Sequence, residues 1–293
     1  MVAGSPDTAG EQDLRGLNID KISKDLFEEA LIFKKEVKNE ITDARQIRWY
    51  QKTSGYISLT SPAKISPIAP GARPFVAEQS WTRNTSEVVK YFLESPTINM
   101  EDESDNDVQV FMNNVEDLTA AVANALDNDI WNVASENQSA SLINAVTSTA
   151  AWDAASGQNP YEDIAEAEQL IREQTKRPVS NLALYVSAKG HKDLKVWLVT
   201  TRGSSIPGFS SQLVKDGSLL MFDGKRVIVS ENVTADFAMV ADLMRGVIYK
   251  EFKSLTTAII KNEGIGRKIR IWTHGLALLV RPQYITLISN VEL

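Results

Sequence analysis

Val108, Phe111, Met112, Val115, Leu118, Val122, Leu126, Ile130 and Val133 recur on one face of a 3.6-residue repeat. This stripe predicts one helix of about 27 residues, ~40 Å long. Such a helix suits a spine spanning an extended molecule, and the remaining elements must be arranged along it. Just ahead of it lies an acidic run, Glu101, Asp102, Glu103, Asp105 and Asp107. The run lacks the sixth-position glycine and twelfth-position glutamate of a calcium loop. Carboxylates are favourable at the positive N-terminal end of a helix, and the sequence is read that way.

Residues 1–18 are small and polar, which predicts an arm that is mobile or ordered by a partner. Ile22, Leu26, Ala30, Phe33 and Val37 then follow helical spacing and predict an amphipathic helix from Asp20 to Glu40. Its stripe is narrow, so it is expected to lie across a surface, one that a neighbouring subunit could supply. From Gln46 to Leu93, two stretches of loose alternation predict two long strands. They flank a segment whose prolines (Pro62, Pro67, Pro70, Pro74) exclude helix. An isolated two-stranded hairpin is marginal alone. Trp49, Tyr50, Tyr56, Trp81, Tyr91 and Phe92 therefore need a cover, either from an adjacent subunit or from a β-layer of the same domain.

The loop from Ser135 to Ala150 is rich in Ser, Asn and Ala and is expected to be flexible. At "WDAASGQNPYEDIAEAEQLI", Asn159 is a helix cap, Pro160 fits the first helical position, and Glu162 completes a capping box. A strand from Asn181 to Val186 and a helix starting at Ser187 follow. Asp223-Gly224 marks a two-residue hairpin. Further strands are predicted at Phe237–Val240, Gly246–Lys250 and Leu255–Lys261. A turn at Asn262-Glu263-Gly264 leads to strands Arg267–Val280 and Tyr284–Ile288. The order is α+β, without a βαβ repeat.

The 293 residues can bury a sizeable core, in one large domain or two smaller ones. The absence of cysteine excludes disulfides, thiolate catalysis and zinc-cysteine sites. No apolar run is long enough for a membrane helix, and no signal-peptide core is present. The Asn-x-Ser/Thr matches at Asn84, Asn137 and Asn232 are therefore read as chance. A net charge of -7 argues against a sequence-specific DNA binder and is neutral about a container of DNA. His191 and His274 are the two histidines, and they do not have metal-ligand spacing. The glycines of "NEGIGR" read as a turn, because no strand-to-helix context makes them a nucleotide loop. No G-x-S-x-G elbow occurs, so an enzyme is the weaker reading. No catalytic, cofactor-binding or metal residue is singled out.

Taken in order, these parts resemble the HK97-type major capsid protein of tailed viruses, from about residue 20 to the end. The resemblance rests on "SPTINMEDESDNDVQVFMNNVEDLTAAVANALDNDIW" as the passage into a spine helix. It rests equally on "WDAASGQNPYEDIAEAEQLI" through "VSNLALYVSAKGHKDLK", "GKRVIVSENVTADFAMVADLMRGVIYKE" and "SLTTAIIKNEGIGRKIRIWTHGLALLVRPQYITLI". It implies an α+β HK97-like capsid fold. The N-terminal arm and helix would be 1–45, and an extended β-hairpin loop 46–95. A peripheral domain with the spine would take 96–148 and 253–281, and an axial domain 149–252 and 282–293.

The implied function is a shell of pentamers and hexamers of the chain itself around double-stranded DNA, located in the virion and, before assembly, in the host cytoplasm. Implied partners are a portal, decoration proteins and a scaffold. The scaffold is expected to be a separate protein, since no long helical presequence precedes the arm. Some family members crosslink subunits through lysine-asparagine bonds, for which Lys52, Lys64 and Lys90 are the conceivable lysines. Encapsulin compartments, which share the architecture and store cargo enzymes, are one alternative. A tail or adhesion component is another, which the Pro160 helix and the long spine make awkward.

Overall fold

The computed structural model describes residues 19–54, 69–73, 80–99, 101, 110–154, 156–200, 219, 221–262 and 264–292. The N-terminal arm, most of the proline segment and residues 102–109 of the acidic run lie outside these. Helix α1 (Ile19–Ala30) stops where the sequence predicts continuity, and a four-residue helix α2 (Phe33–Glu36) and strand β1 (Lys38–Ile41) follow. Asp127 causes the break. Its buried carboxylate accepts hydrogen bonds from the backbone N–H groups of Ile32 (2.5 Å), Phe33 (3.1 Å) and Lys34 (3.1 Å). Phe33 is then held against Trp131 and Tyr185 at 5.7 and 5.6 Å between ring centroids. The predicted face is also corrected. Ser23, Phe27 and Leu31 are buried on this chain's own body, while Ala30 is exposed.

Strands β2 (Gln46–Ser54) and β3 (Ser80–Glu87) form a two-stranded antiparallel hairpin, as the alternation predicts. The second predicted strand is in fact two. At Val88 the chain turns, its N–H donating to Arg45 O, and β4 (Val89–Glu94) joins a different sheet. After the short β5 (Ile98–Asn99) comes the spine, α3 (Val110–Ala134). Val115, Leu118, Val122, Leu126 and Ile130 are its buried stripe, as expected.

The loop after the spine is not featureless. It contains β6 (Asn144–Thr147), an edge strand parallel to the final strand of the chain, so this strand belongs with the sheet of later residues and not with the spine. Helix α4 (Pro160–Thr175), β7 (Ala183–Val186) and α5 (Ala188–Thr200) follow in the predicted order. Asn159 does not cap α4 through its side chain; its amide donates instead to Glu162 at 2.7 Å. Ser187 caps α5 by accepting from Gly190 N at 2.9 Å. Asp223 and Gly224, both at positive φ (50° and 73°), turn β8 (Met221–Phe222) into β9 (Lys225–Val229).

Strand β10 (Phe237–Ala241) leads through the short helix α6 (Leu243–Gly246) into β11 (Val247–Asn262). β11 is one long strand where two were predicted. Irregular register between Glu251 and Thr256 breaks the alternation that would have revealed it. Strand β12 (Gly266–Leu279) returns antiparallel, and β13 (Ile285–Ser289) ends the chain. The five-stranded sheet runs β1-β11-β12-β4 with β5 beside β12, and α1 and α3 pack on it. The six-stranded sheet runs β6-β13-β10-β7-β9-β8, with α4 against β13 and α5 against β7.

Removal of the Asp127 carboxylate strands the buried N–H of Phe33 and the part-buried N–H groups of Ile32 and Lys34. Asp127→Ala is expected to destabilise the subunit by about 2–4 kcal/mol in urea unfolding. Gly275 lies under the Tyr249 ring, where an added Cβ would stand 1.8 Å from the hydroxyl oxygen. Gly275→Ala should therefore destabilise by about 1–3 kcal/mol through overpacking. In a double-mutant cycle, Tyr249→Leu should recover part of that loss.

Candidate assembly interface

Three surfaces are left without a cover by this arrangement. The β2–β3 hairpin is tied to the body partway along β2, where Lys52 N donates to Val280 O (3.0 Å) and Gln51 Nε2 to Leu279 O (3.1 Å). Ile47 and Gln51 are buried there, while Tyr50 and Trp81 remain exposed. The outer face of α5 presents Val196 and Val199, 49% and 43% exposed. The face of the five-stranded sheet opposite the spine is also open.

That open face follows from strand alternation. Ile269, Ile271, Ala277 and Leu279 of β12 point into the core, so Lys268, Arg270, Trp272 and His274 point away from it. Cross-strand pairing extends each into a row. Trp272 faces Phe92 of β4, with ring centroids 6.1 Å apart. Arg270 and Lys268 both pair with Glu94, the latter at 3.1 Å. His274 lies between Lys90 of β4 and Lys253 of β11, and it stacks on Phe252 at 5.9 Å. Burial, then Lys90, Lys253 and Arg45, hold the His274 pKa below its ordinary value. Lys52 is likewise depressed, by burial and then by Arg281 and Arg177.

The residues singled out in the sequence are dispersed. His191 lies on α5, its pKa lowered chiefly by burial, far along the chain from His274 on β12. Lys90 is not on the extended hairpin; it sits in β4 with its Nζ 4.4 Å from the Phe92 ring centre. Lys52 is in β2, opposite Trp81, and Lys64 lies outside the described residues. The glycines of "NEGIGR" do make a turn. Gly264 has φ 73°, and Gly266 approaches Ile98 so closely that a Cβ would lie 2.0 Å from its carbonyl oxygen. Among the described residues, no group of three or more His, Asp or Glu is placed to hold a metal. No described helix is long and apolar enough to cross a membrane. The aromatic and basic rows were missed in the sequence, because they assemble from β4 and from the β11–β12 pair, which is far from β4 along it.

No protein-family model matches the sequence, and no curated protein matches it. Solved structures do match, over nearly the whole chain. The capsid of cyanophage P-SCSP1u is 11% identical with a TM-score of 0.65, covering 90% of this chain and 89% of that one. The mature capsid of bacteriophage PhiM1 is 12% identical with a TM-score of 0.62, covering 88% and 86%. The virus-like particle from Pyrococcus furiosus is 11% identical with a TM-score of 0.58, covering 92% and 97%. The chain has the HK97-type shell fold.

The depressed His274 pKa has a measurable consequence for the isolated subunit. A depressed histidine binds its proton more weakly folded than unfolded, so its contribution is complete above the unfolded pKa of about 6.5 and is lost as pH falls below it. His274→Gln is expected to gain stability relative to the wild type between pH 7 and 5 in urea titrations. A constant difference across that range would contradict the assignment.

Proposed function

We propose that this chain is a major capsid protein. Many copies, as pentamers and hexamers, close an icosahedral shell around double-stranded DNA. The observation that carries the reading is the match of nearly the whole chain, at TM-scores of 0.58 to 0.65, to subunits whose structures are described as capsids or a virus-like particle. The uncovered surfaces support it. A subunit with an exposed hairpin, an apolar helix face and an open aromatic sheet face is incomplete as a monomer, and neighbouring copies would bury those groups. Each contact is weak, and closure of the symmetric shell makes them collective. The protein would reside in the virion, and in the host cytoplasm before assembly. A separate scaffold, a portal and decoration proteins would be its partners.

A second reading keeps the shell and changes the content. An encapsulin-type compartment storing a cargo enzyme is compatible with the likeness to the Pyrococcus furiosus virus-like particle, of which 97% is covered. Negative-stain microscopy and sedimentation of the purified protein test the shell. Regular hollow particles, or rings of five and six, are expected, and a stable monomer under all assembly conditions would overturn it. Nuclease-protected, genome-length DNA in native particles supports the capsid, and a copurifying enzyme supports the compartment. Deletion of residues 60–75 from the extended segment should leave a folded subunit that forms no stable shells. Normal particles from that deletion would exclude a clasp by the hairpin.

A further inference from the structure

Lys90, Lys253 and Arg45 on the open sheet face have no counter-charge among the described residues. Lys90, His274 and Lys253 form one row across β4, β12 and β11, and Arg45 stands beside them. The other cations of this face are neutralised: Lys268 and Arg270 by Glu94, and Lys250 by Glu40. Lys90, Lys253 and Arg45 have no carboxylate partner among the described residues, and all three are exposed. The lysines rest on aromatic rings instead, Lys90 on Phe92 at 4.4 Å and Lys253 on Trp272 at 5.3 Å. The row is a concentrated positive, aromatic patch on a chain whose net charge is -7.

The chain also carries a matching concentration of the opposite sign. Residues 102–109 contain Asp102, Glu103, Asp105 and Asp107 and no Lys or Arg. Both flanks of this segment are fixed at the far end of β12. Asn99 pairs with Gly266, and Phe111 stacks under Arg267 at 5.0 Å. Eight residues of β12 separate Gly266 from His274, or ~27 Å at 3.4 Å per residue. A chain pinned at Asn99 and Val110 extends out and back by at most ~19 Å. Backbone alone falls short of the row, and only fully extended side chains on both sides would close the gap within one subunit, whereas the segment of another copy is under no such constraint.

We propose that the open face of the five-stranded sheet docks the acidic segment 102–109 of a second copy of this chain, through Lys90, Lys253 and Arg45. The proposal rests on the shell reading, which supplies the second copy. One segment and one row per subunit give the one-to-one stoichiometry that a repeating head-to-tail contact needs, and such a contact closes into rings. Nucleic acid would also satisfy the charges of the row. The segment is favoured because it is present once for every row and is already part of the assembling chain.

Charge exchange in the full-length protein tests this. The row is reversed by Lys90→Glu with Lys253→Glu, and the segment by Asp102→Lys, Glu103→Lys, Asp105→Lys and Asp107→Lys. Each reversal alone should lower the fraction of protein sedimenting as particles by about tenfold, and the combination should recover most of it. Thermal melts check folding, and Lys90→Gln with Lys253→Gln replaces the row reversal if that variant does not fold. A second measurement uses wild-type particles assembled from isotopically heavy and light subunits. Carbodiimide should give mixed-isotope crosslinks from Lys90 or Lys253 to residues 102–107. A combined variant no better than the worse single reversal, together with absence of those crosslinks, overturns the docking. Wild-type particles with these negative results leave the shell intact, whereas a wild type forming no particles removes the shell reading itself. If the row reversal abolishes binding of a single-stranded 30-base DNA and leaves assembly unchanged, the row belongs to nucleic acid and the proposal fails.

Discussion

The backbone oxygen of Gly246 accepts hydrogen bonds from both Val280 N (2.9 Å) and Arg281 N (3.0 Å), and the two halves of the structure are joined there. The chain leaves the six-stranded sheet after β10 and enters the five-stranded one at β11. It returns from β12 to β13 a few residues from the same point. Asp242 N donates to Tyr284 O at 3.1 Å, and the Ile285 side chain packs on Gly246, where a Cβ would meet it at 3.0 Å. The crossing strands are thus tied to each other at backbone level. Neither sheet can shift without breaking hydrogen bonds in buried surroundings, where an unsatisfied backbone group costs about 1–3 kcal/mol.

The core reflects this double crossing. One continuous cluster contains Val115, Leu126 and Trp131 of the spine and Ile269 and Ile271 of the five-stranded sheet. The same cluster holds Tyr185, Met239 and Leu287 of the six-stranded sheet. A second cluster, around Trp152, Ile164, Leu184 and Trp197, lies with the six-stranded sheet and its helices alone. Trp152 Nε1 and Ser148 Oγ both donate to Asp163 there, at 2.9 and 2.7 Å, tying the loop before α4 to the helix itself. The N-terminal elements join the first cluster through Phe27, Leu31 and Phe33, positioned by the Asp127 carboxylate. Burial raises the Asp127 pKa, while the three N–H donors act in the opposite direction.

What the subunit leaves uncovered is as informative as what it buries. The described residues leave a partly exposed sheet face and a two-stranded hairpin with Tyr50 and Trp81 exposed. Two such unlike surfaces would each need a different complement, which suits a head-to-tail contact better than a two-fold one. The charges are separated in the same way: the cations lie toward the Gly275 end of β12, and Asn99 and Phe111, which flank residues 102–109 in sequence, lie at its Gly266 end.

Several elements could be read directly from residues, because local physics decides them. The spine stripe, the start of α4 at Pro160, the turn at Asp223-Gly224 and the alternation of β12 are periodicities or turn chemistries contained within a few residues. Other features depend on groups distant in the chain. The helix expected to continue to Glu40 is broken by a carboxylate at position 127. β4 separates from β3 because β12 offers it a second sheet, and Asn144–Thr147 becomes a strand because β13 lies alongside it. The cationic row on the open face was invisible for the same reason. Sequence by itself determined the fold class, the order of elements and the exclusion of thiolate chemistry, all of which follow from local spacing and composition. The tertiary structure alone decided where the chain breaks, which strands share a sheet and which charges meet, because these depend on partners brought together only by the double crossing at Gly246.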